Sequence, residues 1–284
     1  RTIILGQTSA LALFGLAAGV VSLAHRQPRG AGLALALVGV KPQLLLLPLL
    51  ALVCQRRWRA LAWCAAASAL LIGAGALLTG PQALFDYITL LRSADYAGYE
   101  NLPQMQSWRA LIEGTLGLQG APAALLDGIG MLLAMILVAW AWRTPAPPAD
   151  SDLGRGVGRG VGGWGLGVGG WAPYWDLRMA LTMLLIPLFT PHLHMHDLLI
   201  WLVPGGLLLH HLYAPAGRAG MSARQRRAGF LWLWAGYLIV WPAWLMPDAR
   251  LALWFSLAAA GWMVLQLRGA SRETTITWAQ TAAI

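Results

Sequence analysis

Charge is scarce in this chain. Of its 284 residues only 11% are Asp, Glu, Lys or Arg, whereas 58% are hydrophobic and the mean hydropathy is +0.61. That balance excludes an ordinary soluble domain. Lysine is rarer still, since Lys41 is the one lysine among twenty basic residues. Cysteine is confined to Cys54 and Cys64; with no second pair, neither a disulfide framework nor a zinc knuckle is available. No charged n-region followed by a cleavage site opens the sequence. Because it starts at Arg1, close to an apolar run, an N-terminally incomplete chain is expected.

What the sequence does have is long apolar runs, at 3–24, 31–54, 58–79, 122–142, 175–190, 197–214, 228–246 and 251–267. Runs of about 20 residues cross a hydrocarbon core as helices, and several of them exclude a β-barrel. The expected fold class is therefore all-α, a polytopic transmembrane helical bundle of about eight to nine helices. The net charge of +9 does not indicate nucleic acid. Its arginines fall in short loops and form no basic surface with interleaved aromatics. Most of the sixteen tryptophans flank span ends, as an interfacial belt does.

The run 31–54 is broken by Lys41-Pro42-Gln43. Arg26 and Arg29 precede it and Arg56, Arg57 and Arg59 follow it, so the positive-inside rule places both of its ends in the cytoplasm. An even number of passes follows: two short helices with the KPQ tip pointing outward. Alternating onward, most arginines fall on the cytoplasmic side, leaving Arg1, Lys41, Arg92, Arg109 and Arg250 on the other. The domain plan is then a membrane module over 1–142 with the KPQ hairpin and an outer loop at 80–121. A flexible Gly/Pro-rich cytoplasmic loop at 143–174, C-terminal helices over 175–267 and a cytoplasmic tail at 268–284 complete it. Within the outer loop, Leu84, Tyr87, Ile88 and Leu91 recur at helical spacing, as in an amphipathic interfacial helix. The glycine repeats at 154–170 follow no strand and precede no suitable helix, which argues against a phosphate loop.

Polar groups inside a membrane protein are costly unless they pair or serve a cavity. On the charge-derived topology Gln7, Lys41, Gln43, the loop 80–121 and the stretch TPHLHMHDLL (190–199) face the same side, which suggests a site there. His192, His194 and His196 have three readings. They are metal ligands, since imidazole suits several transition metals; or, with Asp197, they cap the next helix; or they form a polar substrate site in which imidazole bonds a sugar or phosphate. A helix would put His192 and His196 on one face and His194 on another, and the other histidines fall on the cytoplasmic side, so metal is the minority reading. For Lys41 the alternatives are a compact cation for an anionic phosphate and a lysine that merely snorkels.

The segments GQTSALAL (6–13), GLALALVGVKPQLLLLPLLALVCQRRWRAL (32–61), GPQALFDYI (80–88), MQSWRAL (105–111) and TPHLHMHDLLIWLVP (190–204) resemble glycosyltransferase family 87, the polyprenol-phosphate-mannose-dependent mannosyltransferases. The resemblance implies a C-type glycosyltransferase membrane fold in the plasma membrane. It also implies inverting transfer of a hexose, typically mannose, from a polyprenyl-phosphate donor to a glycolipid or glycan acceptor on the non-cytoplasmic face. No cofactor or metal is implied, and the partners are membrane lipids, the lipid-linked donor and the acceptor. Carried over by position, Lys41 meets the donor phosphate, with Gln43 and Gln7 lining the same pocket. His192 and His194 bind phosphate or sugar hydroxyls, Asp197 orients a histidine or caps its helix, and Gln106 and Ser107 contribute from the outer loop. The base expected of such enzymes, an acidic residue after the first span, is expected upstream of Arg1; Asp86, Asp95 and Glu100 are outer-side acids without a distinguishing pattern. A lipid or small-solute transporter is the competing class, but its repeated broken helices would require a second KPQ, and there is none.

Overall fold

Backbone polar groups in a hydrocarbon layer must be satisfied internally, and a helix does this without a partner strand. The computed structural model describes residues 2–92, 105–143, 174–190, 195–213, 222–246 and 250–281. Among these every regular element is helical and no strand occurs. The helices are α1 (Thr2–Ala24), α2 (Pro28–Leu37), α3 (Leu46–Cys54), α4 (Trp58–Thr79) and α5 (Gln82–Arg92). They continue as α6 (Gly120–Arg143), α7 (Trp175–Phe189), α8 (Leu202–Tyr213), α9 (Ala223–Leu245) and α10 (Leu251–Thr281). Among the described residues three stretches are long and apolar enough to cross a membrane: α4, α6 and Leu251–Gly269 of α10.

The first four helices are joined by two turns of the same design. At the end of α1, Arg26 N–H donates to Leu23 C=O and Gln27 N–H to Ser22 C=O. At the end of α3, Arg56 N–H donates to Val53 C=O and Arg57 N–H to Leu52 C=O. Both are Schellman caps, which capture carbonyls that a helix end leaves open. Each puts an arginine in the left-handed region where glycine is usual, with φ +56 at Arg26 and +55 at Arg56. Two turns at one end of the bundle thereby carry exposed positive charge.

Small residues set the helix spacing. A Cβ at Gly15 would lie 2.7 Å from Ala34 O, and one at Gly32 2.6 Å from Ala60 O and 2.5 Å from Trp63 Cβ. α2 is therefore clamped between α1 and α4 by close backbone approach, as is common where lipid supplies no hydrophobic drive. α3 leaves that layer and packs on α6 and α7. Buried Leu35, Leu47, Leu177, Leu181 and Leu185 belong to one continuous core.

The direction of each helix follows from its contacts. Arg57 Nη1 donates to Leu23 O at 3.3 Å, while Lys41 Nζ donates to Ser9 Oγ at 3.0 Å. The chain thus leaves the C-terminal end of α1 through α2, reaches the level of Ser9 at Lys41, and returns through α3. The other ends join the Leu23 level. Trp142 Nε1 bonds Thr182 Oγ1 at 3.0 Å, Asp176 meets His210, and Gln225 Nε2 bonds Gln266 Oε1 at 2.8 Å. Arg26, Arg29, Arg56, Arg57, Arg59, Arg143 and Arg268 all lie at this end, with Arg29 over the Trp63 ring and Arg268 over Trp140. Ser9, Lys41, α5 and Arg250 lie at the opposite end.

The helix bounds can be set beside the apolar runs of the sequence. The run 197–214 begins earlier, as a 3₁₀ helix over Met195–Trp201 that passes into α8. Helix α10 runs past the apolar run 251–267 to Thr281. Within the outer loop, α5 covers the helically spaced Leu84, Tyr87, Ile88 and Leu91, and a π-helical turn spans Ala110–Thr115. Residues 144–173 of the glycine-rich loop lie outside the described residues.

Candidate functional site

Lys41 sits where a helix cannot continue. Pro42 has no N–H and disfavours helical geometry at the residue before it, and Lys41 accordingly has φ −133 and ψ 76. Two 3₁₀ turns, Val38–Val40 and Pro42–Leu44, satisfy the backbone around the break: Lys41 N–H donates to Val38 C=O at 2.8 Å and Leu44 N–H to Lys41 C=O at 2.9 Å. The half-buried ammonium is then held by the fully buried hydroxyl of Ser9 at 3.0 Å. Gln43 is half-buried in the second turn. Gln7 lies on α1 two residues before Ser9; its side chain is outside the described set.

The helix that carries His196 approaches the same end. α8 runs alongside the second half of α1, with Ala17 and Leu202 at one level of a shared cavity and His25 and His210 at the other. The 3₁₀ helix Met195–Trp201 precedes α8 and also packs on α1, which puts it beside the first half, towards Ser9. His196 and Asp197 belong to that helix. Asp197 lies in the first turn of that helix; its side chain is outside the described set. His192 and His194 lie outside the described residues, as do Asp95 and Glu100.

Gln106 and Ser107 are both buried, 1% and 0% exposed. Ser107 Oγ accepts Ala110 N–H at 3.2 Å, so this hydroxyl caps the turn that follows. The segment is anchored by a residue that sequence reasoning left out of the site. Arg250, 2% exposed, donates from Nη1 to Met105 O at 2.7 Å and from Nε to Thr115 Oγ1 at 3.4 Å. Its signal was an arginine on the side where the charge rule expects few. Beside it, Trp108 Nε1 bonds Leu126 O at 3.0 Å and Arg109 pairs with Glu113 at 2.9 Å. Asp86 belongs to exposed α5, where its Oδ1 accepts from Gln82. Among the described residues no three His, Cys, Asp or Glu gather as a metal site would require.

This arrangement is that of a helical membrane protein with a basic end and, opposite it, an end that holds the one lysine. The family model for glycosyltransferase family 87 matches residues 1–157 of the 284. The chain belongs to that family, a family of membrane glycosyltransferases. The matched region contains Lys41 and the segment 105–107 but stops short of the histidine segment. Over 200 residues the chain is 27% identical to the polyprenol-phosphate-mannose-dependent alpha-(1-2)-phosphatidylinositol pentamannoside mannosyltransferase of Mycolicibacterium smegmatis. That similarity covers 70% of this chain and 40% of the relative, so the chain spans less than half of the relative's length. No solved structure matches the chain.

Proposed function

We propose that the chain belongs to a plasma-membrane hexosyltransferase of C-type fold. It transfers mannose from a polyprenyl-phosphate donor to a glycolipid or glycan hydroxyl on the non-cytoplasmic face, without a cofactor. The observation that carries this reading is the placing of Lys41. The one lysine is fixed by Ser9 at the end of the bundle away from the arginines, in a chain of this family. The arginine-rich end is the cytoplasmic one by the positive-inside rule, which turns Lys41 outward.

In the reaction the acceptor oxygen attacks the sugar C1 while the bond from C1 to the phosphate oxygen breaks. The electron pair leaves with polyprenyl phosphate, and the acceptor proton goes to a general base. Negative charge grows on the departing phosphate, and a pre-positioned ammonium stabilises it more than it stabilises the ground state. Lys41 has this role, with Gln43 and Gln7 beside it. His192 and His194 bind phosphate or sugar hydroxyls, and Asp197 orients a histidine. Gln106 and Ser107 form the wall contributed by the outer segment.

The test supplies labelled polyprenyl-phosphate mannose to membranes containing the whole protein and measures label in the lipid and glycan fractions. Lys41→Ala and His192→Ala are expected to fold and to lose transfer. Undiminished transfer by both variants would overturn the site, and solute uptake in place of any transfer would overturn the class.

A further inference from the structure

The one acidic residue of α6 is Asp127, which lies about 10 Å along the helix from Gly120 at 1.5 Å per residue. It is inside a stretch long and apolar enough to cross a membrane. An ionisable side chain there is costly and marks a functional site by default, yet the bond of Lys41 to Ser9 does not involve it. Its neighbours are charged as well. The charges of Arg109 and Glu113 both act on Asp127, and Arg109 Nε donates to Glu113 Oε1 at 2.9 Å. The ion pair thus joins Arg109 to Glu113 and leaves Asp127 beside it. These residues stand at the Lys41 end of the bundle, since α6 reaches the other end at Arg143.

The cluster is short of hydrogen-bond donors. Glu113 Oε2 is buried and has no partner among the described residues, in a side chain only 9% exposed. A buried acceptor without a donor is rare in a folded protein and calls for a group that supplies one. Arg109 and Asp127 are both half-buried, so the cluster reaches the outer surface. Two carboxylates against one guanidinium leave a negative charge in excess, which disfavours an anion. A divalent ion would meet the Arg109 charge and only two carboxylates, and no larger group of metal ligands gathers among the described residues. A neutral group rich in hydroxyls suits all three side chains, since a hydroxyl donates to carboxylate and accepts from guanidinium. Trp108 adds an aromatic surface. Its Nε1 donates to Leu126 O at 3.0 Å, which fixes the half-buried indole next to Asp127, and the negative face of an indole attracts the C–H edges of a sugar ring.

The geometry points to a sugar-hydroxyl subsite for the acceptor, built from Trp108, Arg109, Glu113 and Asp127. Its assignment to the acceptor rests on the transferase reading given above. Asp127 accepts from one ring hydroxyl, Arg109 donates to the next, and Glu113 holds Arg109 while its Oε2 takes a further hydroxyl. The segment Met105–Ser107, which leads directly into Trp108, is anchored by Arg250 through Met105 O, so the subsite continues the wall formed by Gln106 and Ser107. Charge sorts the two substrates. The phosphate of the donor is drawn to the Lys41 ammonium and repelled by the two carboxylates, whereas an uncharged glycan meets no such penalty.

The whole protein, placed in phosphatidylcholine nanodiscs, is titrated with radiolabelled octyl mannoside, octyl glucoside and octyl galactoside. We expect saturable binding of at least one of them, and none of its tetra-O-methyl derivative, which keeps the ring and the alkyl chain but has no hydroxyl to donate. Asp127→Asn and Glu113→Gln preserve side-chain shape and should each weaken binding about tenfold or more, as loss of a bond to a charged group does. In the transfer assay both should raise KM for the acceptor and leave KM for the polyprenyl-phosphate donor unchanged. Lys41→Ala should bind the octyl hexoside as wild type does, so loss of transfer and loss of this subsite are told apart. A readout on the wild-type protein does not depend on how the variants fold: the bound hexoside should protect Asp127 from carbodiimide modification, mapped by mass spectrometry. No saturable binding of any of the three hexosides, wild-type affinity in both carboxamide variants, equal binding of the methylated probe, absence of protection at Asp127, or displacement by magnesium or by phosphatidylethanolamine would each overturn the proposal.

Discussion

The Lys41 ammonium donates to the Ser9 hydroxyl at 3.0 Å across 32 residues of sequence, fastening the tip of the α2–α3 excursion to the first helix. A half-buried cation needs such a partner, and a charge-assisted bond is both shorter and stronger than a neutral one. The bond also fixes where the charge points.

Removing either partner should therefore have different consequences. Lys41→Ala deletes the cation and should abolish transfer. Ser9→Ala keeps it but loses its orientation; a bond to a charged group contributes about 1.5–3 kcal/mol, so a fall of roughly tenfold to a hundredfold is the upper range. Ser9→Thr retains a hydroxyl and should restore part of the rate. A Ser9→Ala enzyme indistinguishable from wild type would show that the bond is not needed for the cation's role.

Gly32 should be among the least replaceable glycines. Its added Cβ would meet Trp63 Cβ at 2.5 Å and the Ala60 carbonyl at 2.6 Å, whereas a Cβ on Gly73 meets nothing. Overpacking typically costs about 1–3 kcal/mol, while glycine to alanine in an open helix gains roughly 0.5–1 kcal/mol. Thermal unfolding in detergent should thus show a lowered midpoint for Gly32→Ala and an unchanged or raised one for Gly73→Ala. The reverse order would mean that α2 and α4 do not depend on this approach.

How much of this was legible in the sequence depends on the range of the interaction. Helix α4 coincides with the apolar run 58–79, because hydrophobic length and flanking arginines act locally. The break at Lys41 was likewise readable, since Pro42 acts on its neighbours. What stayed hidden were contacts between distant segments: Arg250 with Met105, Asp176 with His210, and His25 with His210. None has a local signature, because a single arginine or histidine beside an apolar run looks the same whether it reaches water or another helix.

Sidedness can be checked without an enzymatic assay. In a background with Cys54 and Cys64 replaced, Gln82→Cys and Arg59→Cys place thiols at exposed positions at opposite ends of α4 and its continuation. With the arginine-rich end in the cytoplasm, an impermeant maleimide should label the first in intact cells and the second only after permeabilisation. Labelling of both from outside would refute the assignment of the ends.

Arg250 is the residue whose replacement should tell most about the outer segment. It is buried, its backbone has φ +50, and its guanidinium bridges Met105 O and Thr115 Oγ1. Two features are thus combined, and two substitutions separate them. Arg250→Gly suits the left-handed backbone but removes the fork; Arg250→Lys keeps the charge but not the planar pair of donors. If the fork is what holds residues 105–115 against α10, both variants should expose that segment. Amide exchange there should quicken, with glycine the more severe, because a buried carbonyl deprived of its donor costs about 1–3 kcal/mol. Transfer should fall in parallel, since Gln106 and Ser107 follow Met105 directly. If the backbone conformation dominated instead, Arg250→Gly would protect the segment at least as well as wild type, and the bridge would have to be regarded as incidental.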